Sequence, residues 1–129
     1  MTTNEAVIRE VIGAWENGMA SGQAAIRKHF THDCRWEQVG IPTTTGPEEA
    51  AELIGTMEQM GFLGVTVEYR GVASAGNVVF TERVDWLLRS DGSRVGPLPV
   101  VGVTEFRDGK ISAWREYYDS KNLDLLTAQ

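Results

Sequence analysis

Residues 79–87 read Val-Phe-Thr-Glu-Arg-Val-Asp-Trp-Leu, and their alternation of apolar and polar types predicts a strand. Side chains two apart on a strand share a face, about 6.5 to 7 Å apart at the backbone, so Arg83 and Asp85 are within reach of a charged contact. Val79, Thr81 and Leu87 lie on that same face. A second predicted strand, residues 110–119, puts Ser112, Trp114, Glu116 and Tyr118 on one face. A carboxylate set between large apolar groups implies partial burial, and a buried charge needs a partner. Glu116, by its face and aromatic flanks, is the best candidate to complete an Asp-Arg-Glu set. One guanidinium between two carboxylates lets one stay ionised while the other holds a proton near neutrality. That is an acid and a base in one pocket. An ordinary ion-pair network tying two strands together is the plainer outcome of the same spacing.

The elements that must hold these residues change in kind along the chain. Residues 4–20 place Val7, Ile8, Val11, Ile12, Trp15 and Met19 near a helical stripe, with Thr3 as cap and Glu5, Glu10 and Glu16 on a solvated face. A shorter helix is predicted from Ser21 through Phe30, stopped by residues 31–33. Gly46-Pro47-Glu48-Glu49 opens a third, with proline in the first turn and acids at the positive end of the dipole, running on through Met60. After Gly61 the period falls to two, punctuated by Gly71, Gly76-Asn77, Asp91-Gly92 and Asp108-Gly109. Strands are predicted over 65–73, 78–88, 97–107 and 110–119, with sequential neighbours pairing antiparallel. The prolines of Gly96-Pro97-Leu98-Pro99 predict a strand start or bulge near a pocket mouth. The outcome is an α+β fold in which helices close a long, curved sheet into a cone with room inside for a small ligand.

Composition narrows the chemistry. The 129 residues, without linker or repeat, predict a single domain. Eighteen acidic against twelve basic residues give a net charge of −6, the wrong sign for holding nucleic acid or an anionic membrane. Cys34 is the one cysteine, so no intramolecular disulfide forms, and an inert thiol is expected there. His29 and His32 are the only histidines, too few for a zinc site, and are expected at the surface. Charges at Glu5, Arg9 and Glu10 interrupt any secretory or spanning segment, so cytoplasm is the expected location.

Thr-Glu-Arg-Val-Asp at 81–85 and Gly-Lys-Ile-Ser-Ala-Trp-Arg-Glu-Tyr at 109–117 together resemble the limonene-1,2-epoxide hydrolase family, within the cone-shaped NTF2-like and SnoaL-like group, and the likeness runs over nearly the whole chain. The resemblance implies a catalytic set of Arg83, Asp85 and Glu116, with Trp36 and Gln38 on an earlier strand at the positions that hold the attacking water. Three residues depart from the family pattern: Glu116 stands for aspartate, Gln38 for asparagine and Trp36 for tyrosine. Glu116 and Gln38 keep their chemistry on longer stems, whereas an indole N–H donates only and cannot accept a proton from water.

The implied reaction opens a hydrophobic epoxide to a vicinal diol, with Glu116 as base and protonated Asp85 as acid, and needs no metal or organic cofactor. Leu87, Leu98, Val100, Trp114 and Tyr118 from the strands are expected to wall the pocket. Leu53, Met57 and Met60 would add a helical side, an apolar set suited to a terpene-like, cycloalkene or aryl epoxide. An isomerase or cyclase of the ketosteroid-isomerase or SnoaL kind is the rival reading, and a non-catalytic ligand-binding dimer the third. The resemblance further implies a homodimer through a sheet face carrying Phe80, Trp86 and Tyr117.

Overall fold

A computed structural model describes residues 3–124. Helix α1, Asn4–Ala14, begins where the Thr3 hydroxyl accepts a hydrogen bond from the Ala6 amide at 3.1 Å, as its cap position predicts. The predicted 4–20 helix is not continuous. It tightens into a 3-10 turn at Trp15–Asn17 and breaks at Gly18, whose φ of +115° is open only to glycine. Helix α2 then runs Met19–His29, and the chain passes directly into strand β1, Phe30–Gln38. Residues 31–33, read as a helix stop, are therefore strand. A register shift against β6 between Phe30 and Arg35 disturbs the alternation that would have revealed it.

Strand β2, Ile41–Thr45, returns antiparallel to β1 and leads into helix α3, Gly46–Gln59, with proline in its first turn as expected. The meander is β3, Phe62–Ala75; β4, Val78–Arg89; β5, Arg94–Arg107; and β6, Lys110–Tyr117. Sequential neighbours pair antiparallel within the meander and between β1 and β2, while β1 lies parallel to β6, giving one six-stranded mixed sheet in the order β2-β1-β6-β5-β4-β3 with β2 and β3 at its edges. Both β3 and β5 start three residues earlier than predicted, and β6 ends two earlier. The Gly96–Pro97 bond is cis and lies within β5, opposite an irregularity of β4 between Asp85 and Leu87. Both prolines stand on the part of β5 that pairs only with β4, so their missing N–H groups interrupt no second ladder.

The helices cover the inner face of the sheet. Ile8, Val11 and Ile12 of α1, Ile26 of α2 and Ile54 of α3 meet Phe62, Val79, Ile111 and Trp114 of the strands, each almost wholly buried. Burial of one such side chain stabilises the fold by about 1.5–3 kcal/mol, so this layer fixes the cone. The outer face presents Phe80, Val101 and Tyr117, which are 41%, 44% and 51% exposed.

Candidate active site

Alternation along β4 turns Thr81, Arg83, Asp85 and Leu87 inward, and alternation along β6 does the same for Trp114 and Glu116. Arg83 is buried. Its Nε donates to Asp85 Oδ1 at 2.9 Å and its Nη2 to Asp85 Oδ2 at 3.2 Å, a two-pronged contact along one strand. The same Nη2 donates to Glu116 Oε2, two strands away, and Nη1 reaches Thr81 Oγ1 at 3.3 Å. The Asp-Arg-Glu set expected from the spacing is thus assembled. Side-chain exposure is 2% for Arg83, 6% for Glu116 and 16% for Asp85, so the wetter carboxylate is the aspartate.

Burial drives the electrostatics. It pushes the Asp85 carboxyl above its ordinary value, Arg83 pulls the other way, and the charge of Glu116 adds to the rise. Burial also works against the charge on Arg83, but Glu116 and Asp85 together hold that side chain firmly protonated. The Tyr118 phenol, pushed up to about 12 by burial and by Glu116, stays neutral and donates to the Val39 carbonyl at 2.7 Å.

Trp36 and Gln38 stand beside Trp114 and Glu116 in the parallel β1–β6 register. The Trp36 indole N–H donates to Glu116 Oε1 at 3.3 Å, so each oxygen of Glu116 accepts from a group that can only donate. Glu116 is therefore a carboxylate held from two sides. Trp36 is itself fixed by ring contacts, with Trp15 at 6.0 Å, Trp114 at 5.8 Å and Phe30 edge-on at 6.2 Å. The Gln38 amide faces the cavity and makes no hydrogen bond to the described residues.

The charged set lines a cavity of about 370 Å³ whose remaining lining is mostly apolar, with Gln38, Thr56 and Asn122 as polar members. Leu87, Leu98, Val100 and Tyr118 line it from the strand side, and Leu53, Met57 and Met60 from α3, all as expected. Trp114 does not. It lies one inward step deeper along β6, fully buried, where Trp15, Trp36 and Phe30 cover it. Trp15, Met19, Ile54 and Val65 also line the cavity, although periodicity alone marks them only as core. Asn122 and Leu123, from the 3-10 turn Ser120–Leu123, complete the wall beside Gly40 and Ile41; no periodic signal precedes them. Thr81 shares the Arg83 face by simple alternation, and that rule identifies it as a partner.

Two other expectations resolve away from the site. Cys34 is fully buried with its thiol pushed up to about 12 by burial, an inert group. His29 is not at the surface: it is 9% exposed, paired through Nε2 with Glu10 of α1, while His32 is exposed. Among the described residues no three histidine, cysteine or acidic side chains gather in a way that would hold a metal, and no helix is long and apolar enough to cross a membrane.

A bent sheet capped by helices around one charged wall defines an α+β protein of the NTF2-like cone class. An NTF2-like protein of unknown function from Burkholderia pseudomallei K96243 superposes with a TM-score of 0.82 at 17% identity, covering 99% of this chain and 100% of that one. Within that class the chain belongs to the limonene-1,2-epoxide hydrolase catalytic-domain family, which it matches over residues 3–128. Epoxide hydrolase EphG of Mycobacterium tuberculosis H37Rv is 35% identical over 91 residues, an alignment spanning 67% of this chain and 56% of that protein. The structure of a limonene-epoxide-hydrolase-like epoxide hydrolase from M. tuberculosis matches with a TM-score of 0.77 at 27% identity, over 96% of this chain and 89% of that one.

Proposed function

We propose that the protein is a cofactor-independent epoxide hydrolase that adds water to a hydrophobic epoxide and yields a vicinal diol in one step. The observation that carries this reading is Arg83 joined to Asp85 and Glu116 on the single charged wall of an apolar cavity. Glu116 takes a proton from water as the water oxygen bonds to an epoxide carbon. The carbon–oxygen bond of the ring breaks, and Asp85, whose hold on its proton is strengthened by burial, gives that proton to the departing oxygen. Return of a proton from Glu116 to Asp85 restores the starting state.

Arg83 holds both carboxylates in place. Gln38, beside Glu116 and with no side-chain partner among the described residues, orients the water; Trp36, a donor already engaged with Glu116, positions the base instead. Acid and base account for both proton transfers, so the reaction calls on no metal.

The test is a panel of terpene-like, cycloalkene and aryl epoxides in ¹⁸O-labelled water, with enzyme dialysed against EDTA. Diol carrying one ¹⁸O is expected after a single turnover, with no label left in the protein. The donor-only Trp36 favours one second reading, isomerisation of the bound substrate at Glu116 without water. A rearranged, unlabelled product from the same panel would select it.

We also propose that the protein works as a homodimer through the outer sheet face, where Phe80, Val101 and Tyr117 are exposed. Trp86 contributes less than its sequence position suggests, because the Arg94 guanidinium lies 4.4 Å over its ring.

A further inference from the structure

Arg83 belongs to β4 and Glu116 to β6, with the whole of β5 between them. Neighbouring strands lie about 4.8 Å apart, so the guanidinium must cross the inner face of β5 to reach the far carboxylate. The residue it crosses is Gly102, paired with Thr81 on one side and with Glu116 on the other. A Cβ placed on Gly102 would stand 2.8 Å from Arg83 Nη1, 2.8 Å from Thr81 Oγ1 and 3.5 Å from Trp114 Nε1. The first two separations are closer than real Cβ atoms come to their neighbours. Gly102 is absent from the glycines of positive φ, so its backbone does not require glycine. The residues sharing its face two positions away, Val100 and Thr104, both carry side chains and are buried. Glycine in a strand interior weakens the strand, and here it supplies space rather than a turn.

The geometry points to Gly102 as a positioning residue of the acid–base pair: its missing side chain is the slot in which the Arg83 guanidinium lies across β5 while holding Asp85 and Glu116 together. The inference rests on reading those carboxylates as the acid and base of the proposed reaction. With a methyl group at 102, Arg83 is lifted off β5 and keeps the carboxylate on its own strand while losing the far one. A displacement on the order of an ångström costs about 100-fold in a positioned reaction.

Gly102→Ala tests this without any substrate. Carboxyl ¹³C NMR at one fixed pH should show the Glu116 side-chain resonance moved in the variant while that of Asp85 stays, because the guanidinium has left the far carboxylate and kept the near one. An unmoved Glu116 resonance overturns the inference. With an epoxide that is turned over, kcat should fall about 100-fold with KM little changed.

A urea-denaturation cycle gives an independent decision. Gly102→Ala should lower the midpoint in the wild-type background and lower it less in an Arg83→Ala background, where the guanidinium is gone and only the contact with Thr81 Oγ1 remains. Folding of the double variant but not of Gly102→Ala supports the slot equally; an equal loss in both backgrounds overturns it. If no epoxide yields diol with the wild-type protein, the hydrolase reading fails while carboxyl NMR and denaturation still decide the role of Gly102.

Discussion

The two faces of the β4–β5–β6 run reverse the usual distribution of side chains. The inner face, under the helices, holds a guanidinium and two carboxylates with 2%, 16% and 6% side-chain exposure. The outer face, open to solvent in the monomer, shows Phe80, Val101 and Tyr117. A protein built for stability alone would place these groups the other way round, because unpaired buried charge is costly and exposed apolar surface gains nothing. The inner charges persist because each is answered: Arg83 has three side-chain partners, and both Glu116 oxygens are engaged. The inversion is what the proposed function calls for, one face used for chemistry and the other for association.

Neutralising the inner carboxylates should break that contrast most severely. Asp85→Asn removes the proposed proton donor and Glu116→Gln the proposed acceptor, each with almost no change in shape. Diol formation should fall by about 100- to 10,000-fold in either variant, the range expected for a lost proton-transfer partner. Measured on one epoxide, near-complete retention of rate in Asp85→Asn sinks the acid assignment. The next largest effect is on stability. Arg83→Ala strips the cation from two buried carboxylates, and urea unfolding at pH 7 should show a loss of about 3–5 kcal/mol, the cost of breaking a buried pair from one side.

Much of this inner face is legible in the sequence because a strand's period of two needs no tertiary information. Arg83 and Asp85 share a face at i and i+2, and Glu116 shares a face with Trp114 and Tyr118 by the same count. What escapes is whatever depends on depth or on irregularity. Trp114 and Glu116 are equivalent by parity, yet three aromatic rings cover the first and the cavity opens onto the second. The first helix reads as continuous to residue 20, because hydrophobic periodicity does not register that Gly18 takes a positive φ. Its break turns Trp15 and Met19 into cavity wall. Strand β1 is hidden by its register shift, and with it the direction of the Trp36 N–H, which donates to Glu116. The departures at 36 and 38 can be read from the sequence; the partner each meets cannot.

A pH titration sharpens the contrast by setting an inner aspartate against one on the surface. Asp85 has its pKa raised above the ordinary 3.8, chiefly by burial, whereas Asp33 is lowered to about 2, chiefly by its hydrogen bond from Arg107. The raised group binds its proton more tightly in the folded state, so its stabilising contribution is present below pH 3.8 and is lost as pH rises through the folded value. The lowered group does the reverse, contributing above its ordinary value and losing that contribution as pH falls toward about 2. Urea midpoints from pH 2 to 8 should therefore respond oppositely. Asp85→Asn should relieve part of the decline on the rising limb, and Asp33→Asn should flatten the acid limb by a smaller amount, since Asp33 and Arg107 are solvent-exposed. The kcat/KM profile should fall with rising pH through the raised Asp85 value, as a catalytic acid requires.

The smallest effect on chemistry is expected from the outer face, and there a null result in rate is the informative one. Phe80 and Tyr117 lie on strands that also carry Arg83 and Glu116, but alternation directs them away from the cavity. Replacing both with charge, Phe80→Glu with Tyr117→Glu, adds like charges to a patch that would face its own copy across a two-fold axis. Each charge then opposes the same charge, so light scattering should report the monomer mass where the wild type gives twice that mass. Diol formation per protomer should stay within about two-fold, because the acid–base wall and cavity belong to one chain. Loss of rate together with loss of dimer would mean that pairing the outer faces holds the inner face in shape, and the division of labour between the two would fail.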